Sequence, residues 1–196
     1  DEAERSAGAA VESGVVGMGG VTIQGLNHRG VYEMGRPREI GDVDLQYAVE
    51  LASRIHLPAD RMLLQMFPQD FAVDGRAEYR KPAGAIGARL ESFVHVITAS
   101  LQEHQVLVSA VNQAHLVVEE TVYEPFAASY AAVLPEERYE GVAVVDIGSH
   151  STDLVVYYGD TLMHSANLPV SGDHFTRDVS YGLCLTFEDA QRLKEE

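Results

Sequence analysis

The sequence has little cysteine, little basic charge and no long apolar run, and each shortage excludes a class of protein. Its 196 residues include a single cysteine, Cys184, so neither an internal disulfide framework nor a cysteine-based zinc site can form. Lys and Arg together number 14 against 30 for Asp and Glu, which gives a formal net charge of -16. Phosphate backbones and anionic lipid surfaces repel a chain of this charge, so we expect no binding to nucleic acid.

No apolar run approaches the roughly 20 residues that a membrane-spanning helix needs. The first residues also lack the basic-then-apolar order of a signal peptide. A hydrophobic content of 46% is nevertheless enough for one or two packed cores. The sequence does not begin with Met, and a helical pattern is still running where it stops. We therefore interpret it as a folded fragment of a longer protein.

The first quarter of the sequence changes from a helical to a strand pattern and back. Residues 1–12 have a weak helical pattern, and glycines then separate short apolar pieces that are typical of strands. Asp42 stands where an N-cap belongs, and the apolar residues that follow recur near one helical face. This spacing predicts a helix over residues 42–56.

Two strand patterns follow this helix. Residues 61–73 are apolar but contain Pro68, which a sheet accommodates only at an edge or a bulge, so we predict two strand pieces around a kink. In residues 89–98 polar and apolar side chains alternate, which is the period of a strand with one buried face. The polar positions are Arg89, Glu91 and His95.

From residue 101 the pattern is helix, strand, helix, followed by a turn at 135–137 and three strands joined by tight turns. The three strands form a predicted antiparallel meander, and two helices close the sequence. The predicted ranges are a helix from 101, a strand at 115–120, a helix at 124–133, strands at 141–146, 152–158 and 161–170, and helices near 172–181 and 187–196.

The turn between the first two meander strands carries the most informative chemistry. It reads Asp146-Ile-Gly-Ser-His-Ser-Thr-Asp153. Successive N–H groups of such a turn can converge on an anion, hydroxyls can add donors, and Asp146 can hold a magnesium-bound water. Asp-x-Gly after a strand is also typical of an ordinary hairpin turn, so the residues alone leave both interpretations open. The candidate nucleotide ligands are Asp146, Gly148, Ser149, His150, Ser151 and Thr152.

The other polar residues give no pattern of a metal or catalytic site. The remaining histidines lack close metal-binding spacing and are interpreted as surface or satisfied polar residues, and Cys184 has the apolar context of an inert thiol. We therefore predict no catalytic residues. The histidines are His28, His56, His95, His104, His115, His164 and His174.

Several motifs in one order resemble the FtsA family of bacterial cell-division proteins, which belongs to the actin, chaperone and sugar-kinase superfamily. The polar turn is similar to the family's second phosphate loop, whose usual form is Asp-Ile-Gly-Gly-Gly-Thr-Thr-Asp. Further motifs resemble the segments around that loop and the family's insertion domain. These motifs span residues 67–75, 81–91, 95–98, 124–130, 168–178 and 187–194.

The resemblance implies an α/β and α+β fold, part of an actin-like (ribonuclease H-like) architecture with a strand-helix-strand-strand insertion domain. It also implies four segments. These are the end of a first-lobe helix at 1–13, the insertion domain at 14–98, a return to the first lobe at 99–140, and the start of the second lobe with its phosphate hairpin at 141–196.

The same resemblance implies the function of the whole protein. It would bind ATP with Mg²⁺, polymerise with itself, and link FtsZ filaments to the inner face of the plasma membrane at the division site. It would be cytoplasmic and would reach the membrane only through a C-terminal helix beyond residue 196, while later division proteins would bind the insertion domain. The protein is thus expected to act by assembly, with at most slow ATP hydrolysis. We expect this segment to bind no nucleotide on its own, because the family's first phosphate loop would precede residue 1.

Two positions depart from the family. Ser149 and His150 stand where the family loop has glycine, which often serves a positive φ or a close approach to the ligand. Histidine tolerates the left-handed region better than most residues, so the turn can still form. The His150 ring either projects outward, which we favour, or it contacts the γ-phosphate.

Alternatives remain at the level of both residues and function. Tyr32, Met34 and Arg36 are candidate contact residues of the insertion domain, or else ordinary strand positions. A type IV pilus assembly protein of the PilM kind shares the expected fold, as does a chaperone-type ATPase or sugar kinase. The insertion domain at 14–98 does not fit the kinase alternative.

Overall fold

A computed structural model describes residues 2–196, apart from the side chains of residues 3, 7 and 77–79. Asp1, which begins the predicted 1–13 segment, lies outside the described residues. No helix between residues 2 and 196 is both long and apolar enough to cross a bilayer. The elements in chain order are α1 Glu2–Ala7, β1 Ser13–Met18, β2 Gln24–Glu39, α2 Asp42–Ser53, β3 Arg61–Val73, β4 Arg76–Tyr79, β5 Ile86–Ser100, α3 Leu101–Gln113, β6 Val117–Tyr123, α4 Glu124–Ala132, α5 Pro135–Glu140, β7 Val142–Ile147, β8 Thr152–Tyr158, β9 Thr161–Leu168, α6 Gly172–Leu183 and α7 Phe187–Glu195.

The largest sheet, called here the insertion sheet, contains β2, β5, β3 and β4 in that spatial order, with antiparallel neighbours. Helix α2 packs on β2 and β5. The order strand, helix, strand, strand is therefore present, with the short β4 added between the last two. The predicted helix at 42–56 is found at Asp42–Ser53.

Three local predictions differ from the structure. Residues 61–73 form one strand with a register shift between Pro68 and Phe71, and β4 pairs only beyond that shift, so Pro68 lies at a bulge beside a free edge. The long strand β2 was not predicted, because its glycines and charged residues hide the strand period. The turn predicted at 135–137 is the first part of the short helix α5, which has Pro135 in its first turn.

Strand β5 is buried on both faces, so the prediction of one exposed polar face is wrong. Glu91 and His95 are 4% and 0% exposed. Both side chains tolerate burial because they have polar partners, and for Glu91 these are Arg29 at 3.0 Å and Arg89 at 3.3 Å. The alternation of polar and apolar residues in the sequence indicates which face of the strand each side chain lies on, but it does not show what covers each face.

Two further sheets complete the fold. β1 and β6 pair in parallel, and β7, β8 and β9 form the antiparallel meander that the sequence predicts. One apolar cluster joins all three sheets and includes Met18 of β1, Ile97 of β5, Tyr123 of β6 and Val155 of β8. The meander thus packs on the face of β5 that α2 does not cover.

Polar side chains of the insertion sheet also hold β9, and we call this contact the β9 seam. Gln69 Nε2 donates to the carbonyl oxygens of Leu162 and Met163 at 3.1 and 3.0 Å. Asn27 Nδ2 donates to the Met163 carbonyl oxygen at 3.4 Å, and His95 Nε2 lies 2.8 Å from Ser165 Oγ. The seam therefore consists of Asn27, Gln69, His95, the two carbonyl groups and Ser165.

The hydrogen bonds of the seam define the protonation of His95. The amide of Asn27 turns its oxygen towards His95 Nδ1, so Nδ1 carries the proton and Nε2 accepts the Ser165 hydroxyl proton. Burial lowers the pKa of His95 to about 4 from its ordinary 6.5, and the nearby His164 adds to the effect. The folded protein therefore holds His95 neutral.

Gly30 on β2 allows α2 to approach the sheet. A Cβ atom at this position would lie 2.3 Å from the Ala52 nitrogen and 2.6 Å from the Ala48 carbonyl oxygen, both in the α2 backbone. Ala48 and Ala52 are fully buried, so helix and strand meet through small residues at this point. The helix backbone cannot move aside without losing the core beneath it.

We predict that Gly30→Ala destabilises the fold by about 2 kcal/mol or more, because the added methyl overpacks the contact between β2 and α2. Urea unfolding followed by circular dichroism measures the change. The matched control is Gly14→Ala on β1, where no atom lies within 4 Å of the added Cβ. Equal stability of the two variants would contradict this account of the contact.

We also predict that the free energy of unfolding falls as the pH is lowered from 6.5 to about 4, because in that window the unfolded chain protonates His95 and the folded protein does not. The full difference corresponds to about 3 kcal/mol. In His95→Gln this part of the pH dependence should disappear. The exposed His150→Gln is the control and should keep it. The same pH slope for His95→Gln and the unmodified chain would show that His95 does not contribute.

Candidate functional site

The polar turn joins β7 to β8 at the end of their hydrogen-bonded pairing. The two strands pair from Val142 opposite Tyr157 to Ile147 opposite Thr152, and Gly148 N–H donates to the Ser151 carbonyl oxygen at 3.0 Å. Residues 148–151 therefore extend beyond the sheet as one short loop. The same register sets Asp146 opposite Asp153, so the two carboxylates flank the loop on neighbouring strands.

The first turn of α6 fixes the position of this loop. Gly172 and Asp173 donate their N–H groups to the carbonyl oxygens of Gly148 and Ser149 at 3.0 and 2.9 Å, and the buried Ser171 hydroxyl donates to the Ser149 carbonyl. These bonds satisfy helix N–H groups that have no partner within the helix. They also leave the loop's own N–H groups as the donors available to a ligand.

Those loop donors are the N–H groups of Ser149, His150 and Ser151, which make no hydrogen bond within residues 2–196. None of residues 148–152 has a positive φ. The loop therefore accepts Ser149 and His150 without the left-handed conformation considered for them from the sequence. Gly172 has a different role, since a Cβ atom there would lie only 3.1 Å from the Gly148 carbonyl oxygen.

The His150 ring points outward, with 87% of its side chain exposed. Its Nδ1 atom lies 2.7 Å from Ser149 Oγ, and its Nε2 atom lies 3.5 Å from Asp173 Oδ2. This is the outward orientation of the two considered from the sequence. The ring lies over the first turn of α6 and adds one more contact between that helix and the loop.

The other hydroxyls of the turn already have partners. Ser151 Oγ donates to Asp153 Oδ2 at 3.2 Å, and Thr152 Oγ1 donates to the Val170 carbonyl oxygen at 2.6 Å. Asp153 is only 7% exposed and also accepts a bond from Asn167 Nδ2 at 2.7 Å. A ligand that takes the Ser151 hydroxyl must therefore withdraw it from a buried carboxylate.

The charge around the turn decides which anions can bind. Asp146, Asp153 and Asp173 lie at or beside the loop. A cation, Lys194, reaches the first turn of α6, where its Nζ atom donates to Thr176 Oγ1 at 2.8 Å and to the Gly172 carbonyl oxygen at 3.3 Å. Bare phosphate would be repelled, whereas phosphate accompanied by a divalent cation would be neutralised. Within the described part of the chain no three His, Cys, Asp or Glu residues form a metal cluster. A cation there would need water and phosphate ligands besides Asp146, which is the coordination that Mg²⁺ favours.

The three candidate contact residues lie in the insertion sheet, not at the turn. Tyr32 and Met34 are half-buried against the core beneath α2, and the Tyr32 ring packs edge-on to Tyr47 with centroids 4.8 Å apart. Arg36 is exposed where β2 and β5 lose register. Arg36 is thus the only one of the three with a largely exposed side chain.

Sequence reasoning missed the residues that support the turn. Asn167 and Asp153 form a cross-strand pair, and Ser171 ties the loop to α6. The signal for Ser171 was present, because Ser-Gly-Asp before a helical pattern marks a helix start. No sequence signal pairs Asn167 with Asp153, because that requires the register of β8 and β9.

Two models of known protein families match the chain, and the descriptions of both name FtsA. The profile described as "SHS2 domain inserted in FTSA" matches residues 20–98. The profile described as "Cell division protein FtsA" matches residues 143–196, which include the polar turn and α6.

Curated proteins called "Cell division protein FtsA" are similar along nearly the whole chain. The one from Borreliella burgdorferi is 36% identical over 99% of this chain and 47% of its own length. Those from Pseudomonas aeruginosa and Bacillus subtilis are both 32% identical, over 99% and 100% of this chain and 46% and 45% of theirs. The chain spans about half the length of the curated relatives that it matches.

A solved structure described as "PilM-PilN type IV pilus biogenesis complex" has a similar fold. It superposes with a TM-score of 0.60 over 92% of this chain and 49% of that chain, at 22% identity. At this identity the likeness concerns the fold alone. The fold is thus shared with a solved structure, while the sequence matches are to FtsA.

Proposed function

The chain belongs to the FtsA family of cell division proteins, and on that premise we propose that it supplies a phosphate-binding hairpin and a contact domain to a bacterial division protein. One observation carries the proposal. The loop at 148–151 presents three unengaged N–H groups beside Asp146, on a scaffold fixed by α6. Backbone donors next to a carboxylate suit the phosphates of a nucleotide with its Mg²⁺ ion.

The ligand of the loop is ATP with Mg²⁺. Ser149 and His150 contribute their N–H groups, Ser151 and Thr152 border the phosphates, and Asp146 holds the ion through water. A bound Mg²⁺ ion would offset the negative charge of the phosphates, which the surrounding carboxylates would otherwise repel. The chain's own residues position and hold the phosphates. The protein works by assembly and at most hydrolyses ATP slowly.

The segments divide this work nearly as the sequence suggested. Residues 1–13 and 99–140 belong to a first lobe, and residues 141–196 begin a second. Most of residues 14–98 forms the contact domain, whereas β1 at its start pairs with β6 of the first lobe. The compact packing of α2 on the insertion sheet supports a separate contact domain. Its partners are later division proteins, and Arg36 is its exposed candidate contact.

The whole protein polymerises with itself and links FtsZ filaments to the inner face of the plasma membrane at the division site. The acidic charge of this segment, -16, argues against direct binding to nucleic acid or to anionic lipid. Membrane attachment therefore belongs to a part of the protein other than these residues.

We predict that the 196-residue chain binds Mg-ATP more weakly than micromolar, because one hairpin supplies only part of a phosphate clamp.

In the full-length protein, His150→Gly should change the Mg-ATP affinity by less than about threefold, because the exposed ring lies against Ser149 and Asp173 and not over the loop donors. Calorimetry at pH 6 and pH 8 measures both affinities. Asp146→Asn is the matched loss-of-binding variant and should weaken Mg-ATP binding by about tenfold or more.

Two results would contradict this assignment. Micromolar affinity of the 196-residue chain would mean that the single hairpin is sufficient. A loss of more than about tenfold in His150→Gly, together with tighter binding of the unmodified protein at pH 6, would identify the imidazole as a phosphate ligand.

A further inference from the structure

A buried polar path leads from the loop into the fold. It begins at the Ser151 hydroxyl, which donates to Asp153 Oδ2 at 3.2 Å, and Asn167 Nδ2 donates to the other oxygen of that carboxylate at 2.7 Å. Asp153 is 7% exposed, so water cannot readily replace a lost donor. A buried carboxylate is costly to leave underpaired.

Tyr123, the last residue of β6, extends the path. Its side chain is 1% exposed, and its hydroxyl lies near both Ser165 and the Asp153 carboxylate. Burial raises the pKa of this hydroxyl, and the neighbouring Asp153 carboxylate raises it further. Tyr123 is therefore a protonated hydroxyl in the same buried polar region as Asp153 and Ser165.

The path ends at the β9 seam. Ser165 donates to His95 Nε2 at 2.8 Å, and the opposite nitrogen of that ring faces the Asn27 side chain on β2. Ser165 and Asn167 are two residues apart on β9, so both side chains leave the same face of the strand. One face of β9 thus contacts both Asp153 beneath the loop and His95 of the insertion sheet.

We propose that the Ser151 hydroxyl couples the state of the loop to the docking of the insertion sheet on β9. A serine hydroxyl has one proton and can donate it to one acceptor at a time. If a phosphate oxygen takes this proton, as it would if the proposed nucleotide site is correct, Asp153 keeps only Asn167 as donor. Asn167 alone then ties this carboxylate to β9, the strand that also carries Ser165. The strand is held less firmly, and the β9 seam loosens.

The coupling itself can be tested without nucleotide, because Ser151→Ala removes the same donor that a phosphate would withdraw. Amide hydrogen exchange of the 196-residue chain should become roughly tenfold faster at residues 163–166 of β9 and at 26–28 and 94–96 of the insertion sheet. Ser149→Ala is the matched control, since its hydroxyl contacts His150 and not Asp153. Ser151→Thr retains a hydroxyl and should restore slow exchange. Unchanged seam exchange in Ser151→Ala, or equal acceleration in Ser149→Ala, would overturn the proposal.

A second experiment adds Mg-ATP to the full-length protein and measures the same amide exchange. If it binds by calorimetry, it should speed exchange at the seam in the unmodified protein and have less effect in Ser151→Ala, where the donor is already absent. Binding that leaves seam exchange unchanged would overturn the coupling. Absence of Mg-ATP binding would refute the proposed nucleotide function alone, because the comparison of Ser151→Ala with Ser149→Ala still decides whether the loop and the seam are coupled.

Discussion

The structure depends on satisfying the polar groups that are buried where the insertion sheet meets the meander. Apolar contacts such as Ile97 with Val155 and Leu162 bring the two sheets together, but the same contact removes His95, Ser165 and Asp153 from water. Each of these groups has a hydrogen-bond partner. The bond between His95 and Ser165 crosses from one sheet to the other, and Asp153 is paired with Asn167 within the meander. Because an unpaired buried polar group would cost more than an ordinary hydrogen bond contributes, the network permits one relative position of the sheets.

The polar turn illustrates how contacts from outside a loop can fix its conformation. Hydrogen bonds from the first turn of α6 hold the carbonyl groups of Gly148 and Ser149. With those groups fixed, the loop needs no left-handed residue, and His150 fits by directing its ring outward towards Asp173. The tolerance of this position for a large side chain therefore comes from a helix more than twenty residues further along the chain.

The sequence allowed much of the local structure to be predicted, because helix and strand periods, prolines and N-cap residues act over a few neighbouring residues. The helix beginning at Asp42, the meander and the turn that begins after Ile147 were found in this way. Strand β2 was missed because Gly25, Gly30 and Gly35 interrupt its period. The burial of β5 was predicted wrongly because alternation cannot reveal a second covering layer.

For the candidate site, the sequence by itself determined the chemical groups: a short polar loop between apolar strands, a carboxylate at its entrance and a histidine in place of glycine. It also determined the acidic charge that argues against nucleic acid. Only the tertiary structure decided which groups work together. The pairing of Asp153 with Asn167, the support of the loop by Ser171, and the contact of His95 with Ser165 depend on strand register and sheet packing. Such contacts join residues 14 to 70 positions apart, and no pattern within a few neighbouring residues can specify them.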